Sequence, residues 1–251
     1  MNYMGSKRKY AAEIVPIINR YIKDNGITQF YDIMCGGANL VDKIVCDETY
    51  GNDLSPTLIA LHIQAQEDFS KIPKQGSREY WDKGYSEYKK FLQGQTDIDM
   101  PLYEIGAIEW YSSFARGGFP RGYAKPTTTR DYFKEGRKAH YEQSLKEKYK
   151  KIKFSCEDYR NLEIPVGALI YVDPPYKGTK PYGISPKFNH EELFNWIREK
   201  SKTNPIFLSE QKAPDDFEIV WSKDGVIRTA ALHNDYVACE KLFLVDNRED
   251  K

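Results

Sequence analysis

The period of the apolar residues changes along the chain, and the changes divide it into three stretches. Over residues 14–22 apolar positions recur at helical spacing, which predicts an amphipathic helix. Residues 29–33 read as a short strand, and residues 38–45 as a helix opened by the glycine turn between them. From about residue 69 to 150 the chain becomes polar, aromatic and helix-rich, with loop signals gathered in Arg116-Gly-Gly-Phe-Pro-Arg-Gly-Tyr123. Strand and helix then alternate again. An apolar run over 168–172 ends in two prolines, an amphipathic helix covers 191–200, and 206–209 and 241–245 read as further strands. Alternation in the outer stretches predicts an α/β fold with a largely parallel, doubly wound sheet. On this reading residues 1–68 and 151–251 form one domain, and residues 69–150 are a helical unit inserted into it.

Composition narrows the setting. With 251 residues, 40% hydrophobic and 29% charged, the chain can fill one α/β core plus a smaller unit. No stretch approaches the roughly 18 consecutive apolar residues of a membrane helix, so no membrane partner is expected. The basic start, residues 1–9, has no apolar segment of signal-peptide length behind it. Cys35, Cys46, Cys156 and Cys239 are scattered, with no Cys-x-x-Cys pair and no clustered histidines. That argues against a disulfide framework or a zinc site and for reduced thiols in a cytoplasm. Formal net charge is +0, yet residues 116–153 hold twelve Lys/Arg against four Asp/Glu. A charge run alone is usually a solvated helix face. Phe119, Tyr123, Tyr132, Phe133 and Tyr141 interleave with this one, which points to a nucleic-acid surface. His62, His140, His190 and His233 lie in different segments and are read as surface or structural histidines, and Trp81 and Trp110 as packing residues.

Two motifs carry chemistry. In Tyr31-Asp-Ile-Met-Cys-Gly-Gly-Ala-Asn-Leu40 a strand runs into a Gly-Gly turn, where backbone can approach a ligand closely. About twenty residues beyond Asp32 stands Asp53, at the expected end of the next strand, where a carboxylate can accept from two ribose hydroxyls. The Gly-x-Gly-x-x-Gly pattern is absent, which weakens a dinucleotide reading. The second motif is Asp173-Pro-Pro-Tyr176, directly after the apolar run. Adjacent prolines fix the backbone and remove two donors, leaving a rigid loop with a carboxylate, outward carbonyls and an aromatic face. Methylation of an aryl amine asks for that set. Its nitrogen lone pair is delocalised into the ring; Asp173 and the Pro174 carbonyl can accept from the amino hydrogens and direct the lone pair at a methyl, and Tyr176 can stack on the base.

In this order the motifs resemble the Dam-type (class alpha) DNA N6-adenine methyltransferases, in particular the branch common in phages and prophages. The family's opening aromatic-x-Gly-x-Lys stands as Tyr3-Met-Gly-Ser-Lys7, its cofactor loop as residues 32–37, and its ribose-binding acid as Asp53. Cys156-Glu-Asp158-Tyr159 matches the acid and aromatic placed against the cofactor adenine, and Asp173, Pro174, Pro175 and Tyr176 match the catalytic loop. Further echoes at 113–123, 188–193, 209–210 and 213–217 extend the resemblance over nearly the whole chain. It implies a Rossmann-like methyltransferase sheet, S-adenosylmethionine as methyl donor without a metal, double-stranded DNA as substrate, and residues 69–150 as a target-recognition domain. It also implies that Tyr3 and Lys7 contact the methionine portion of the cofactor, Lys7 through its carboxylate. Gly36 and Gly37 would let backbone pass close to that portion, Asp32 opens the same cofactor-binding loop, and Asp173 would also accept from the amino group. Ala38 departs from the pattern, since many members have a third glycine there. A restriction endonuclease partner and a monomeric or weakly dimeric state are compatible with this reading.

For DNA contacts the sequence offers Arg116, Arg121, Tyr123, Lys125 and Arg130. Arginines suit guanine edges in the major groove, and Phe119 or Tyr123 can fill the gap left by a base turned out of the stack. The nearest rival is an RNA guanine amino-methyltransferase, which uses a similar Asp-Pro-Pro-aromatic loop. About one hundred residues separate Asp53 from Asp158, against the roughly thirty of a βαβ unit, which leaves room for a DNA-recognition unit. A catalytically inactive DNA-binding homologue is the other alternative; against it, every acidic and aromatic site position is filled.

Overall fold

The computed structural model describes residues 1–176, 188–227 and 236–249; His233 lies outside them. Among the described residues one sheet is built from β1 (Gln29–Asp32), β2 (Glu48–Asn52), β3 (Lys153–Ser155), β4 (Leu169–Val172), β5 (Ile206–Glu210), β6 (Glu218–Ile227) and β7 (Tyr236–Val245). Their order is β3-β2-β1-β4-β5-β7-β6. The first five are parallel, and β7 runs antiparallel between β5 and β6. The apolar run that marks β4 has a simple cause: Leu169 and Tyr171 enter one core, Ile170 and Val172 the other. A central parallel strand is covered on both faces and has no polar side to show.

The helices are α1 (Ala11–Asp24), α2 (Pro56–Glu67), α3 (Arg78–Leu92), α4 (Leu102–Ser112), α5 (Tyr132–Ser144), the short α6 (Glu147–Lys150) and α7 (His190–Lys200). On one face α1 packs Ile14, Ile18 and Ile22, and α2 packs Leu58 and Leu61, in the cluster that holds Phe30 and Tyr171. On the other, α7 sets Leu193 and Ile197 with Ile170 and Val172. Each such side chain, removed from water, contributes about 1.5–3 kcal/mol. From β1 the strand order runs outward to β2 and β3, then resumes at β4 on the opposite side. The carboxyl ends of β1 and β4 therefore adjoin where the order reverses, and a crevice opens there.

The connection from β2 to β3 is helical. Every residue of α4 from Ile105 to Ser112 is buried. Ile105 and Ile108 face Trp81, Tyr88 and Phe119 in a separate aromatic cluster, while Ala107, Trp110 and Tyr111 belong to the main core. Gly106 permits this placement, because a Cβ there would lie 2.2 Å from the carbonyl oxygen of Thr57 in the first turn of α2.

Two expectations need correction. Residues 38–45 do not form a helix; only a single 3-10 turn, Val41–Lys43, stands there. Ala38 takes a left-handed φ of 52°, and the carbonyls of Gly37 and Ala38 accept from Gln143 Nε2 of α5 at 3.2 and 2.9 Å. The Gly36 carbonyl is held by His62 of α2 at 2.8 Å. Carbonyls committed to side chains cannot begin a helical ladder. The last strand starts at Tyr236 rather than 241, and it pairs with β6, whose polar middle, Ser222-Lys-Asp-Gly225, gives no apolar period. Among the described residues no helix is long and apolar enough to cross a membrane.

Candidate active site at the carboxyl edge of the sheet

A cavity of about 350 Å³ occupies the crevice. Its wall takes Asp32 to Gly37 from the end of β1, Asp53 after β2, Asp158 and Tyr159 after β3, Asp173 to Tyr176 after β4, and Tyr3 and Lys7 from the start of the chain. Four of the five parallel strands, β1 to β4, thus deliver their following loops to the same edge. Five segments far apart in sequence meet there.

The loop after β1 is held from several directions. The Asp53 carboxylate accepts from the Gly36 amide at 3.0 Å and from the Ser55 amide at 3.0 Å, which also sets the N-terminus of α2. Gly36 has a φ of +48°, and a Cβ on it would lie 2.7 Å from the Tyr3 ring; one on Gly37 would lie 2.7 Å from the Tyr3 Cβ. The two glycines therefore make room for Tyr3, which packs on Trp110 with ring centroids 4.9 Å apart. Asp32 is 2% exposed, and its Oδ1 has no hydrogen-bond partner among the described residues. Burial pushes its carboxyl well up, and Asp173 and Asp53 add to the push. An unpaired buried acceptor on the wall of a cavity fits a ligand that brings a cationic donor.

The catalytic candidates form a second, tighter group. Lys7 Nζ lies 2.5 Å from Asp173 Oδ1 and 3.6 Å from Glu240 Oε1, and 4.5 Å from the centroid of the Tyr176 ring. The Tyr176 hydroxyl donates to Glu240. Lys7 therefore sits on Asp173 and Glu240, where the family resemblance implies a ligand carboxylate. Its charge is already shared. Burial pulls the Lys7 ammonium down, yet the carboxylates of Asp173, Glu240 and Glu210 outweigh it and raise it. Burial raises Asp173 to about 6 against the pull of Lys7, and raises Glu210 to about 7. His190, the first residue of α7, donates through Nε2 to the Pro175 carbonyl at 2.8 Å and pins the loop.

The candidate DNA contacts lie elsewhere and behave differently from one another. Arg121, Lys125 and Arg130 are exposed, with the Arg130 guanidinium 4.2 Å from the centroid of the Tyr132 ring. Arg116 is 6% exposed. Its guanidinium donates to the Tyr132 carbonyl at 2.6 Å and to Glu135 at 3.2 Å, so it is an internal strut that cannot reach a base edge. Phe119 is likewise buried, within 5.0–5.5 Å of the rings of Trp81, Tyr85 and Tyr88, and is no wedge. Tyr123 is half-buried beside Trp81 and bridges to Ser113. Between those bridge partners runs a hairpin with two left-handed non-glycine residues, Ala115 (φ 53°) and Arg116 (φ 60°), and it leaves Phe114 58% exposed.

Four residues here received no role from the sequence. Glu210 falls within the family echo at 209–210 and Phe114 within that at 113–123, neither with a function attached, and Glu240 sits on a strand, where a lone acid reads as solvent-facing. Glu109, on the cavity wall, is held by the Thr57 hydroxyl at 2.6 Å and raised to about 7 by burial. Phe114 has no sequence signal that separates it from the other aromatic residues of the loop.

The family model of D12 class N6 adenine-specific DNA methyltransferases matches residues 3–215. Among solved structures the chain is similar to the rRNA methyltransferase aviRa from Streptomyces viridochromogenes. The 1.5 Å structure gives a TM-score of 0.43 at 10% identity over 98% of this chain and 88% of that one. The 2.4 Å structure gives 0.41 at 10% identity over 95% and 84%.

Proposed function

The chain belongs to the D12 class of N6 adenine-specific DNA methyltransferases, which are S-adenosylmethionine-dependent, and on that premise we propose how its residues divide the work. Residues 1–68 and 151–251 form the catalytic domain, and residues 69–150 choose the DNA target. The cavity at the sheet edge receives the cofactor, and an adenine extruded from the duplex meets it at Asp173 to Tyr176. The observation that carries this reading is the group at the end of β4: a largely buried carboxylate paired with Lys7, beside an aromatic ring and a rigid Pro-Pro loop.

Bound S-adenosylmethionine supplies an electrophilic methyl group on a sulfonium. Asp53 would accept from the ribose hydroxyls, Asp158 and Tyr159 would flank the adenine portion, and the unpaired Oδ1 of Asp32 would accept from the amino group of the methionine portion. At the target base, Asp173 and the Pro174 carbonyl would accept from the two N6 hydrogens, which would leave the nitrogen lone pair free for the methyl group that the cofactor would supply, with its sulfur as the leaving group. The methylated nitrogen then gives up a proton, and ionised Asp173 is placed to take it. Lys7 keeps Asp173 ionised and oriented, so it serves the catalytic carboxylate. Tyr176, fixed through Glu240, provides the stacking face.

Binding must also offset the cost of turning a base out of the stack, a few kcal/mol. Arg121, Lys125 and Arg130 supply phosphate contacts, and Phe114 is the exposed aromatic suited to the vacated position. The test is incubation with methyl-labelled cofactor and either duplex DNA or RNA, followed by identification of the modified nucleoside. Label in N6-methyldeoxyadenosine is expected. Label in guanine of RNA, with none in DNA, would overturn the assignment.

A further inference from the structure

Four buried side chains that the proposed reaction does not use make an unbroken hydrogen-bonded chain. His62 Nε2 lies 2.8 Å from the Gly36 carbonyl, and His62 Nδ1 lies 2.8 Å from the Tyr149 hydroxyl. The same hydroxyl is 2.8 Å from His140 Nε2, and His140 Nδ1 is 2.6 Å from the Tyr111 hydroxyl. All four residues are fully buried, and they come from α2, α6, α5 and α4 in turn.

The direction of every bond follows from one fixed end. A carbonyl only accepts, so His62 carries its proton on Nε2. Burial holds His62 down to about 3 and His140 well below its usual value, so both rings are neutral. His62 Nδ1 is then an acceptor, and Tyr149 must donate to it. With its proton spent, the Tyr149 oxygen accepts from His140 Nε2, and His140 Nδ1 accepts from Tyr111. Reversing any one bond sets two donors or two acceptors face to face.

We infer that Tyr111, His140, Tyr149 and His62 form a one-way relay that fixes the Gly36 carbonyl, making His62 a positioning residue for the cofactor loop. The inference rests on the reading of the sheet-edge cavity as the cofactor site. Gly36 is where the relay has leverage, because its amide is bound to Asp53 while its carbonyl is bound to His62. The Phe154 ring, stacked on His62 at 4.8 Å and 7°, limits rotation of the imidazole. At the other end the Tyr111 carbonyl lies 3.5 Å from Arg116 Nη1, the strut of the hairpin. Tyr111 thus touches that strut through its backbone, while the hydrogen-bonded relay itself ends at the Tyr111 hydroxyl.

Two measurements test it. Long-range proton–nitrogen correlation spectra of histidine-labelled protein should show His62 and His140 as neutral Nε2–H tautomers from pH 8 to pH 5. An Nδ1–H tautomer or a charged ring at either position at pH 6 overturns the assignment. Calorimetric titration with S-adenosylhomocysteine should show Tyr111→Phe binding roughly three- to tenfold more weakly, the scale of one net hydrogen bond. Tyr103→Phe, also on α4 but outside the relay, should bind like the parent. Adding Tyr111→Phe to His62→Gln should cost nothing beyond His62→Gln alone. Parent-like affinity of Tyr111→Phe, or full additivity in the double variant, sinks the relay. Failure of the parent to bind S-adenosylhomocysteine at all would instead count against the cavity assignment. Should Tyr111→Phe fail to fold, the tautomer spectra of the parent still decide.

Discussion

Asp173 is pulled two ways: burial resists its ionisation and Lys7 favours it, leaving its carboxyl at about 6. The proposed reaction needs the carboxylate, because only the ionised form can accept from the amine and then take its proton. Asp173→Ala should therefore abolish methyl transfer in a folded protein, since positioning and proton acceptance can account for several kcal/mol of barrier lowering. Near-parental single-turnover rates from the variant would dismiss the assignment. The pH dependence has a definite sign. As pH falls through about 6, Asp173 gains a proton and the rate should drop about tenfold per unit below that point. Removing the favourable charge with Lys7→Met should move this limb to higher pH, and an unmoved limb in a single-turnover profile from pH 5 to 9 would show that Lys7 does not act on Asp173. The Asp-Pro-Pro-Tyr loop was legible in the sequence because it is a local signal, a rigid turn behind an apolar run. The partner of Lys7 was not. That pair joins residues 166 positions apart, and only the strand order brings them together.

At the scale of elements, periodicity located α1, β1, β4, α7 and β5 closely, since each buries one stripe or both faces. It failed over 38–45, where side chains of α2 and α5 take the backbone carbonyls and tertiary contacts override the local preference. Composition in turn misjudged the hairpin after α4, where it suggested a DNA-facing Arg116 and a wedge at Phe119 or Tyr123. Packing reverses those roles. Arg116 and Phe119 are interior, and the left-handed turn at 115–116 presents Phe114 instead. Arg116→Ala should lower stability by about 2 kcal/mol in denaturant titrations, less than for a fully buried ion pair because Glu135 remains partly in water. Phe114→Ala should leave stability and cofactor affinity unchanged while reducing base extrusion, followed by 2-aminopurine fluorescence at the target position. An undiminished fluorescence rise would remove Phe114 from the mechanism.

For the whole molecule, a net charge of zero conceals a division of labour. Buried carboxylates collect at the carboxyl edge of the sheet, where burial raises them and neighbouring carboxylates add to it. On the proposed reading, attraction to DNA comes from another surface. The exposed cations between α4 and α5 are the nearest in sequence to the proposed wedge; Arg121, Lys125 and Arg130 are all exposed there, with Arg130 also 3.5 Å from Glu135. That the segment between β2 and β3 is the candidate DNA surface was readable only as an excess of charge and length; which of its cations are exposed depended on packing, as the withdrawal of Arg116 into the interior shows. Replacing Arg121, Lys125 and Arg130 together with Ala removes three candidate phosphate partners without touching the cavity wall. Counterion release predicts that the slope of log affinity against log salt should flatten by up to about 2.7, roughly 0.9 for each duplex phosphate no longer neutralised. DNA affinity should fall most at low salt, and S-adenosylhomocysteine affinity should stay at the parental value. If one of the three reads a base edge as well, the triple variant should also lose discrimination between target and non-target duplexes. A variant that keeps both the affinity and the salt slope of the parent would mean that this basic run is a solvated face and that the duplex is held on a different surface.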